Sequence, residues 1–187
     1  MNEEKKYSLI EKYLVIYGTP IICVIGTLFH FLFEAVNKNL IFSVIAPVNE
    51  SVWEHLKIVY FPMLIYWLIL YFILRKKINI DFNNWIKALL VATLVGMITV
   101  ITLFYTYSGI IGDNSAVVDI LIYIIAVAFG QILAFNIYKI SSNSNTWFFI
   151  SLFVLAFIFV MFAVFTYYQP KIPLFFDKSS KVYGINY

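Results

Sequence analysis

Two histidines and several carboxylates lie around one loop of the chain, and together they could bind a metal ion. His30 and His55 are the only histidines among the 187 residues. Glu34 follows His30 by four positions, so the two side chains share a face if this segment is helical. Two imidazoles and a carboxylate form the ligand set of many catalytic zinc sites, which keep one position open for water. We therefore predict that His30, Glu34 and His55 hold a divalent metal such as zinc.

The segment Ala46 to Lys57 reads A-P-V-N-E-S-V-W-E-H-L-K and adds candidate catalytic groups. Glu50 and Glu54 could each take a proton from a metal-bound water, so both are candidate catalytic residues. Ser51 and Glu54 also fit a helix capping box, which leaves a structural role open for Glu54 but does not explain Glu50. Lys57 is a candidate substrate-binding residue. Membrane proteins rarely keep such groups near the bilayer without a use for them.

A second polar segment, F-Y-T-Y-S-G-I-I-G-D, precedes the fourth apolar stretch. Asp113 follows Gly112 in a turn, and Asp119 is expected about one turn inside the next helix. An acid at that depth needs a partner, and Lys57 or a tyrosine hydroxyl is available. We predict that Tyr107, Asp113 and Asp119 contribute to substrate binding. For Tyr107, a place in the aromatic belt at the membrane interface remains the alternative.

These groups are set in a very apolar chain, which excludes an ordinary soluble domain. Hydrophobic residues make up 63% and charged residues 12%, whereas a soluble domain carries about 25% charged residues. Five segments reach the length of about 20 apolar residues that a spanning helix needs. They cover roughly 13–33, 58–74, 88–107, 117–138 and 147–168. The prediction is an all-α membrane protein with five transmembrane helices in one domain, residues 1–187.

Two further segments are apolar without being long enough to span. Residues 39–48, N-L-I-F-S-V-I-A-P-V, are typical of a re-entrant or interfacial segment between helices 1 and 2. Irregular backbone at membrane depth is tolerated where it is buried in protein or lines a cavity. In the tail, 169–187, Pro170 and Pro173 end the last helix and precede apolar residues. We predict that the tail folds back over the polar site; a segment lying on lipid is the alternative.

Lysine and arginine are more frequent around one set of helix ends, as in Lys5, Lys6 and the run Arg75 to Lys77. This bias predicts a cytoplasmic N-terminus and an extracytoplasmic C-terminus. The polar loop would then face outward. The single cysteine, Cys23, excludes a disulfide within the chain. We expect the lipid bilayer as the environment, no nucleic-acid partner, and leave homo-oligomerisation open.

Several motifs together resemble those of a known family. They are A-P-V-N-E-S-V-W-E-H-L-K after a helix ending F-H-F-L-F-E, then F-Y-T-Y-S-G-I-I-G and a closing I-P-L-F-F-D with Y-G-I. The chain resembles a family of small bacterial integral membrane proteins of unknown function, with the signature A-P-V-N-E-S-x-W-E-H-L-K. Gln169 and Lys171 stand around Pro170 where that family has more prolines and histidines, so a third imidazole ligand is missing there. The resemblance implies a bacterial cell membrane as the location, and it implies no activity.

Two classes of function fit these observations. The first is a metal-dependent hydrolase with an extracytoplasmic-facing His/Glu pocket, acting on a lipid or a membrane-delivered substrate. The alternative is non-enzymatic: a small-solute carrier, a substrate-binding subunit of a transporter, or a membrane partner protein. A carrier needs polar residues deep in the bundle, and only Gln131 and Asn136 lie there, which favours the enzyme. The shared site also predicts that His30 and His55 approach each other, and Gln131 is expected to hydrogen-bond between helices.

Overall fold

The computed structural model describes residues 2–185 and is dominated by five long helices. They are α1 (Glu3–Ala35), α2 (Val52–Leu74), α3 (Phe82–Ile111), α4 (Ala116–Ile140) and α5 (Asn145–Tyr167). All five are long and apolar enough to cross a membrane, which confirms the predicted all-α membrane fold. The segment Lys12–Tyr17 within α1 is a π-helical stretch.

Short elements join and follow these helices. A 3-10 turn, Phe42–Val44, lies between α1 and α2 in the segment predicted to be re-entrant or interfacial. After α5 come a second 3-10 turn, Pro173–Phe175, and two strands, β1 (Phe176–Asp177) and β2 (Val182–Tyr183), which pair antiparallel. Met1, Asn186 and Tyr187 lie outside the described residues, so the predicted folding of the tail is described only as far as position 185.

The second and third helices begin before the apolar windows predicted for them, 58–74 and 88–107, at polar residues that cap their first turns. At the start of α2, the hydroxyl of Ser51 accepts a hydrogen bond from the amide of Glu54. At the start of α3, the carboxylate of Asp81 accepts from the amide of Asn84 at 2.8 Å. These bonds satisfy amides that have no partner within the first helical turn. Hydropathy alone does not reveal these capped first turns.

Only half of the predicted capping box is present at α2. In a complete box the Glu54 carboxylate would accept from the amide of Ser51. Instead that amide donates to Oδ1 of Asn49 at 2.9 Å. The Glu54 carboxylate is thereby left to interact with other groups in the interior.

Polar groups inside the bundle join the helices to one another. Pro62 in α2 has no N–H to offer the carbonyl of Ile58, and the hydroxyl of Tyr123 from α4 lies 3.1 Å from that carbonyl oxygen. Gly26 of α1 makes room for this hydroxyl, because a Cβ there would overlap it. Nearer the other end, Nε1 of Trp67 donates to Oε1 of Gln131 at 2.8 Å, which confirms the interhelical hydrogen bond predicted for Gln131.

One end of the bundle collects the irregular segments. Consecutive helices alternate in direction, so the ends of α1, α3 and α5 and the starts of α2 and α4 meet there. The loop between α1 and α2 contacts the end of α5 through a 2.8 Å hydrogen bond between the hydroxyls of Ser43 and Tyr167. It contacts the tail through Asn49, which donates to the carbonyl of Gly184 at 2.8 Å. We call this the polar end of the bundle.

Candidate metal centre

His30 and His55 lie on neighbouring helices at the polar end. Their Nε2 atoms are 3.2 Å apart, which confirms the prediction that the two histidines approach each other. Glu50, in the turn just before α2, places Oε2 at 3.3 Å from Nε2 of His55 and 3.7 Å from Nε2 of His30. One ligand atom from each of the three side chains falls within 4.8 Å of the other two. We call these three residues the His/Glu triad.

The spacing of the three ligand atoms fits a tetrahedral metal ion. Ligand atoms at about 2.0–2.1 Å from zinc and at tetrahedral angles are roughly 3.3 Å from each other. The triad shows 3.2, 3.3 and 3.7 Å. A metal ion could therefore be held with only small movements of the side chains.

Hydrogen bonding orients one of the two rings for coordination. Nδ1 of His55 lies 2.9 Å from the backbone carbonyl of Ser51. A neutral imidazole that donates its Nδ1 proton to this carbonyl presents the lone pair of Nε2 to the centre of the triad. Such hydrogen bonds to the outer nitrogen are the usual way in which proteins fix a metal-binding histidine.

The triad is partly open to solvent and carries a carboxylate that stays ionised. The side chain of Glu50 is 54% exposed, and the two imidazoles are each a little over one quarter exposed. The imidazole of His30, and after it that of His55, holds the pKa of Glu50 well below its usual range, although burial acts in the opposite direction. Metal ligands must be deprotonated, so this carboxylate is ready to coordinate.

Two surface clefts meet at Glu50. The larger has a volume of about 290 Å³ and includes two members of the triad in its wall. It is lined by His30, Phe31, Phe33, Glu34, Lys38, Pro47, Val48, Asn49, Glu50, Asp177 and Ser180. The smaller, of about 170 Å³, lies between the end of α3 and the tail and has a more aromatic lining, which includes Phe104, Tyr105 and Tyr183. A molecule entering the larger cleft would reach the triad directly.

Comparison with known proteins identifies the family. Residues 1–185 match the family model DUF6512, a family of unknown function. The chain belongs to DUF6512. Neither the curated proteins nor the solved structures contain a match. Membership in DUF6512 brings no activity with it, so the function has to be argued from the site.

In this DUF6512 chain, Glu50 occupies the place among the ligand atoms that the sequence suggested for Glu34. Glu34 instead lines the wall of the larger cleft. The spacing of four residues does put Glu34 on the same side of α1 as His30. Glu50 reaches the histidines because the loop between α1 and α2 folds back toward the start of α2. The triad thus combines two helical residues with one from an irregular turn.

Glu54 and Lys57 form a separate, buried ion pair. Nζ of Lys57 lies 2.5 Å from Oε2 of Glu54, and the two side chains are 0% and 2% exposed. The same ammonium group donates to the carbonyl of Ser43 and to the hydroxyl of Thr166, both at 2.7 Å. These contacts use all three protons of the ammonium group. The pair fastens the folded-back loop and the end of α5 onto α2, and it opens to neither cleft.

Two of the remaining predicted site residues link α3 to α4, and the third lies in the turn between these helices. The hydroxyl of Tyr107 donates a short hydrogen bond to the carboxylate of Asp119, which gives that acid the tyrosine partner considered for it from the sequence. The same hydroxyl accepts from the amide of Ser115 at 3.1 Å. Asp113 accepts from the adjacent amide of Asn114 in the turn. Among the residues that the structure describes, the walls of the two clefts do not include Tyr107, Asp113 or Asp119.

Sequence reasoning did not assign a role to Asp177, which turns out to contact the turn that carries Glu50. Its carboxylate is buried and accepts a hydrogen bond from the amide of Glu50 at 3.2 Å. Burial alone would raise the pKa of Asp177, but hydrogen bonds from Ser180, Ser179 and the Glu50 amide outweigh it and lower the pKa. The sequence D-K-S-S is typical of a turn in which an aspartate accepts from following residues. That signal could have identified the turn but not its contact with Glu50.

Proposed function

We propose that the His/Glu triad binds a divalent metal such as zinc and that this DUF6512 protein is a metal-dependent hydrolase. The observation that carries the proposal is the convergence of three ligand atoms at 3.2–3.7 Å beside a cleft open to water. Structural zinc sites are closed by four protein ligands, whereas catalytic sites use three and leave a position for water. A site with two histidines and one carboxylate belongs to the second type.

The residues of the chain would divide the work as follows. His30, His55 and Glu50 hold the ion, and the carbonyl of Ser51 keeps the ring of His55 in its coordinating orientation. When bound, the ion supplies a water of lowered pKa. Glu34 lines the same cleft and would be the carboxylate available to accept a proton from water and to return it to the leaving group. Glu50 would be a ligand, and Glu54 is held by Lys57. Asp177 also lines the cleft, but its oxygens accept hydrogen bonds from Ser179, Ser180 and the Glu50 amide.

The lining of the larger cleft favours an amphiphilic substrate, either a lipid or a molecule delivered through the membrane. Phe31, Phe33 and Pro47 provide an apolar wall, and Lys38 provides a cation suited to an acidic headgroup. Phe31 is 62% exposed on the outer side of α1, where an acyl chain could lie against it. Ligand sites commonly combine such an apolar lining with a few placed polar groups. The bias of lysine and arginine supports an outward-facing site.

The non-enzymatic alternative, a carrier, a transporter subunit or a partner protein, has less support. A carrier needs polar side chains that are free to meet a solute deep in the bundle. Gln131 is fully buried in the packed helices, where its Oε1 accepts from Trp67, and the amide of Asn136 donates to the carbonyl of Ile132 within its own helix. We therefore place the hydrolase first.

Hydrolysis can be tested with the purified protein reconstituted in vesicles that contain fluorogenic phospholipid and carboxylic-ester substrates. The proposal expects turnover that stops when a chelator is added and returns with zinc. Glu34→Gln and Glu50→Gln are matched variants, because each replaces one carboxylate of the same cleft by its amide. Glu34→Gln should keep the metal and lose turnover, and Glu50→Gln should lose both. Turnover that is insensitive to chelator and unchanged in both variants would contradict the proposal.

A further inference from the structure

The third ligand of the triad differs from the other two in what supports it. His30 and His55 are carried by helices α1 and α2, whose backbones are fixed by regular hydrogen bonds. Glu50 belongs to an irregular turn, and its side chain is 54% exposed. A metal ligand has to be held to within about half an ångström of its working position. Glu50 therefore needs support from outside its own segment.

The tail supplies a folded element against this turn. Residues 176–183, the two strands with the turn between them, form a hairpin that we call the tail hairpin. It is anchored on one side by Phe175, whose ring packs 4.9 Å from that of Trp53 in the first turn of α2. On the other side the carbonyl of Gly184 accepts from Asn49. Gly184 has φ +77° and lies against the amide of Gln169, so a larger residue would not fit there.

Asp177 joins the tail hairpin to Glu50, and its two carboxylate oxygens have different partners. Among the described residues, the partners of Oδ1 all lie within the hairpin: the amide and hydroxyl of Ser179 and the amide of Ser180. Oδ2 accepts from the hydroxyl of Ser180 at 2.5 Å and from the backbone amide of Glu50 at 3.2 Å. One oxygen therefore shapes the hairpin, and the other reaches across to the turn that carries the ligand.

We propose that Asp177 is a positioning residue for the metal ligand Glu50, so that docking of the tail hairpin and binding of the metal stabilise each other. The inference rests on the metal site proposed above. Loss of a hydrogen-bond partner that orients a metal ligand commonly costs about 10- to 100-fold in metal affinity. Coupling of this kind is reciprocal, so a bound metal must also hold the hairpin more firmly in place.

The two oxygens of Asp177 allow a selective variant. Asp177→Asn keeps one acceptor for the turn of the hairpin but presents N–H groups where Oδ2 accepts from Glu50. Ser179→Ala is the matched control, because it removes a donor to Oδ1 and leaves the contact with Glu50 intact. Cobalt(II) is the probe, since its visible spectrum reports the number and geometry of the ligands. Affinity would be measured by titrating the purified full-length protein in detergent.

We expect Asp177→Asn to bind cobalt about 10- to 100-fold more weakly than the wild type and with an altered spectrum. Ser179→Ala should bind with nearly the wild-type affinity and spectrum. A hairpin that was merely structural would lower the melting temperature of both variants without changing the spectrum of the metal that remains bound. Asp177→Asn with wild-type affinity and spectrum would overturn the inference and leave the metal site standing.

A second measurement on the wild type keeps the inference testable if Asp177→Asn does not fold. Lys178 and Lys181 lie in the turn of the tail hairpin and are exposed, so trypsin reports how often the hairpin opens. Saturating zinc should slow cleavage at these two sites. Zinc that binds without slowing cleavage would overturn the coupling. A wild type that binds neither cobalt nor zinc would instead show that the proposed function fails, and the inference would fail with it.

Discussion

Glu50 and Glu54 are four residues apart, yet the structure places them in opposite surroundings. Glu54 is paired with Lys57 in the interior, and the ammonium group of that lysine has acceptors for all its protons. Glu50 is half exposed beside two imidazoles and the walls of two clefts. The first arrangement is closed off in the interior, where Oε2 of Glu54 is bonded and Oε1 has no hydrogen-bond partner among the described residues. The second is open to an incoming ligand. Burial and pairing with a lysine, more than residue type, separate the structural acid from the candidate ligand.

Helical geometry explains how residues 50–57 contribute both to the buried ion pair and to the His/Glu triad. Residues three apart on a helix are neighbours, so Glu54 and Lys57 point together into the bundle. His55, next to Glu54 in sequence, points toward a different side and meets His30 of α1. Glu50 precedes the helix, so the fold of the loop decides its direction. At the start of α2, a step of one residue along the helix therefore separates the buried ion pair from the His/Glu triad.

The largest expected effect of a single change is on the buried pair. Replacing Lys57 by Met would leave the Glu54 carboxylate buried without its partner, which typically costs about 3–5 kcal/mol. Thermal unfolding of the purified variant in detergent would measure this loss. The double variant Lys57→Met with Glu54→Leu removes both charges and should recover much of the stability. If Lys57→Met alone were as stable as the wild type, the ion pair between Glu54 and Lys57 would not stabilise the fold.

Substitution of a cleft residue beside the His/Glu triad should change the rate of turnover and leave stability unchanged. Glu34→Gln leaves the three ligands in place, so metal content and melting temperature should stay close to those of the wild type. Loss of a general base lowers a rate about 100- to 10,000-fold, and a loss of turnover in this range is expected in the vesicle assay. If Glu34→Gln turned over substrate at the wild-type rate, the proton would have another acceptor.

A smaller effect on stability is expected at Ser51, which lies between Glu50 of the His/Glu triad and Glu54 of the buried ion pair. Ser51→Ala removes the hydroxyl that caps α2, and loss of such a cap costs about 0.5–2 kcal/mol. The backbone carbonyl of residue 51, which orients His55, is unchanged by the substitution. Unfolding experiments should therefore show a modest loss of stability while the metal stoichiometry stays the same. A loss of metal in this variant would mean that the cap also positions the triad.

Much of the architecture could be predicted from the sequence because it depends on local properties. Apolar stretches of spanning length indicate the five helices, and a single folded-back loop between α1 and α2 is enough to bring His30 near His55. The role of Lys57 could not be predicted in this way. Its burial depends on acceptors supplied by Ser43 in the loop and Thr166 at the end of α5, and these meet only in the folded protein.

The candidate site was less predictable because its third ligand depends on distant contacts. On a helix, Glu34 is the acid that spacing associates with His30. Glu50 enters the triad because the loop folds back and because Asp177 bonds to its amide from 127 residues further along the chain. Neither condition leaves a periodic pattern in the sequence. The choice of Glu50 as a candidate ligand, and not as a base, therefore rests on the distances among the three side chains.

The central claim, that the His/Glu triad is a metal site, is tested most directly by the metal content of the purified protein. Wild type, Glu50→Gln and His55→Ala would be stripped with chelator, equilibrated with zinc, freed of unbound metal and analysed for zinc per chain, with helix content checked by circular dichroism. We expect one zinc per chain in the wild type and a large loss in both variants at unchanged helix content. A folded wild type that retains no zinc, or variants that retain as much as the wild type, would contradict the account.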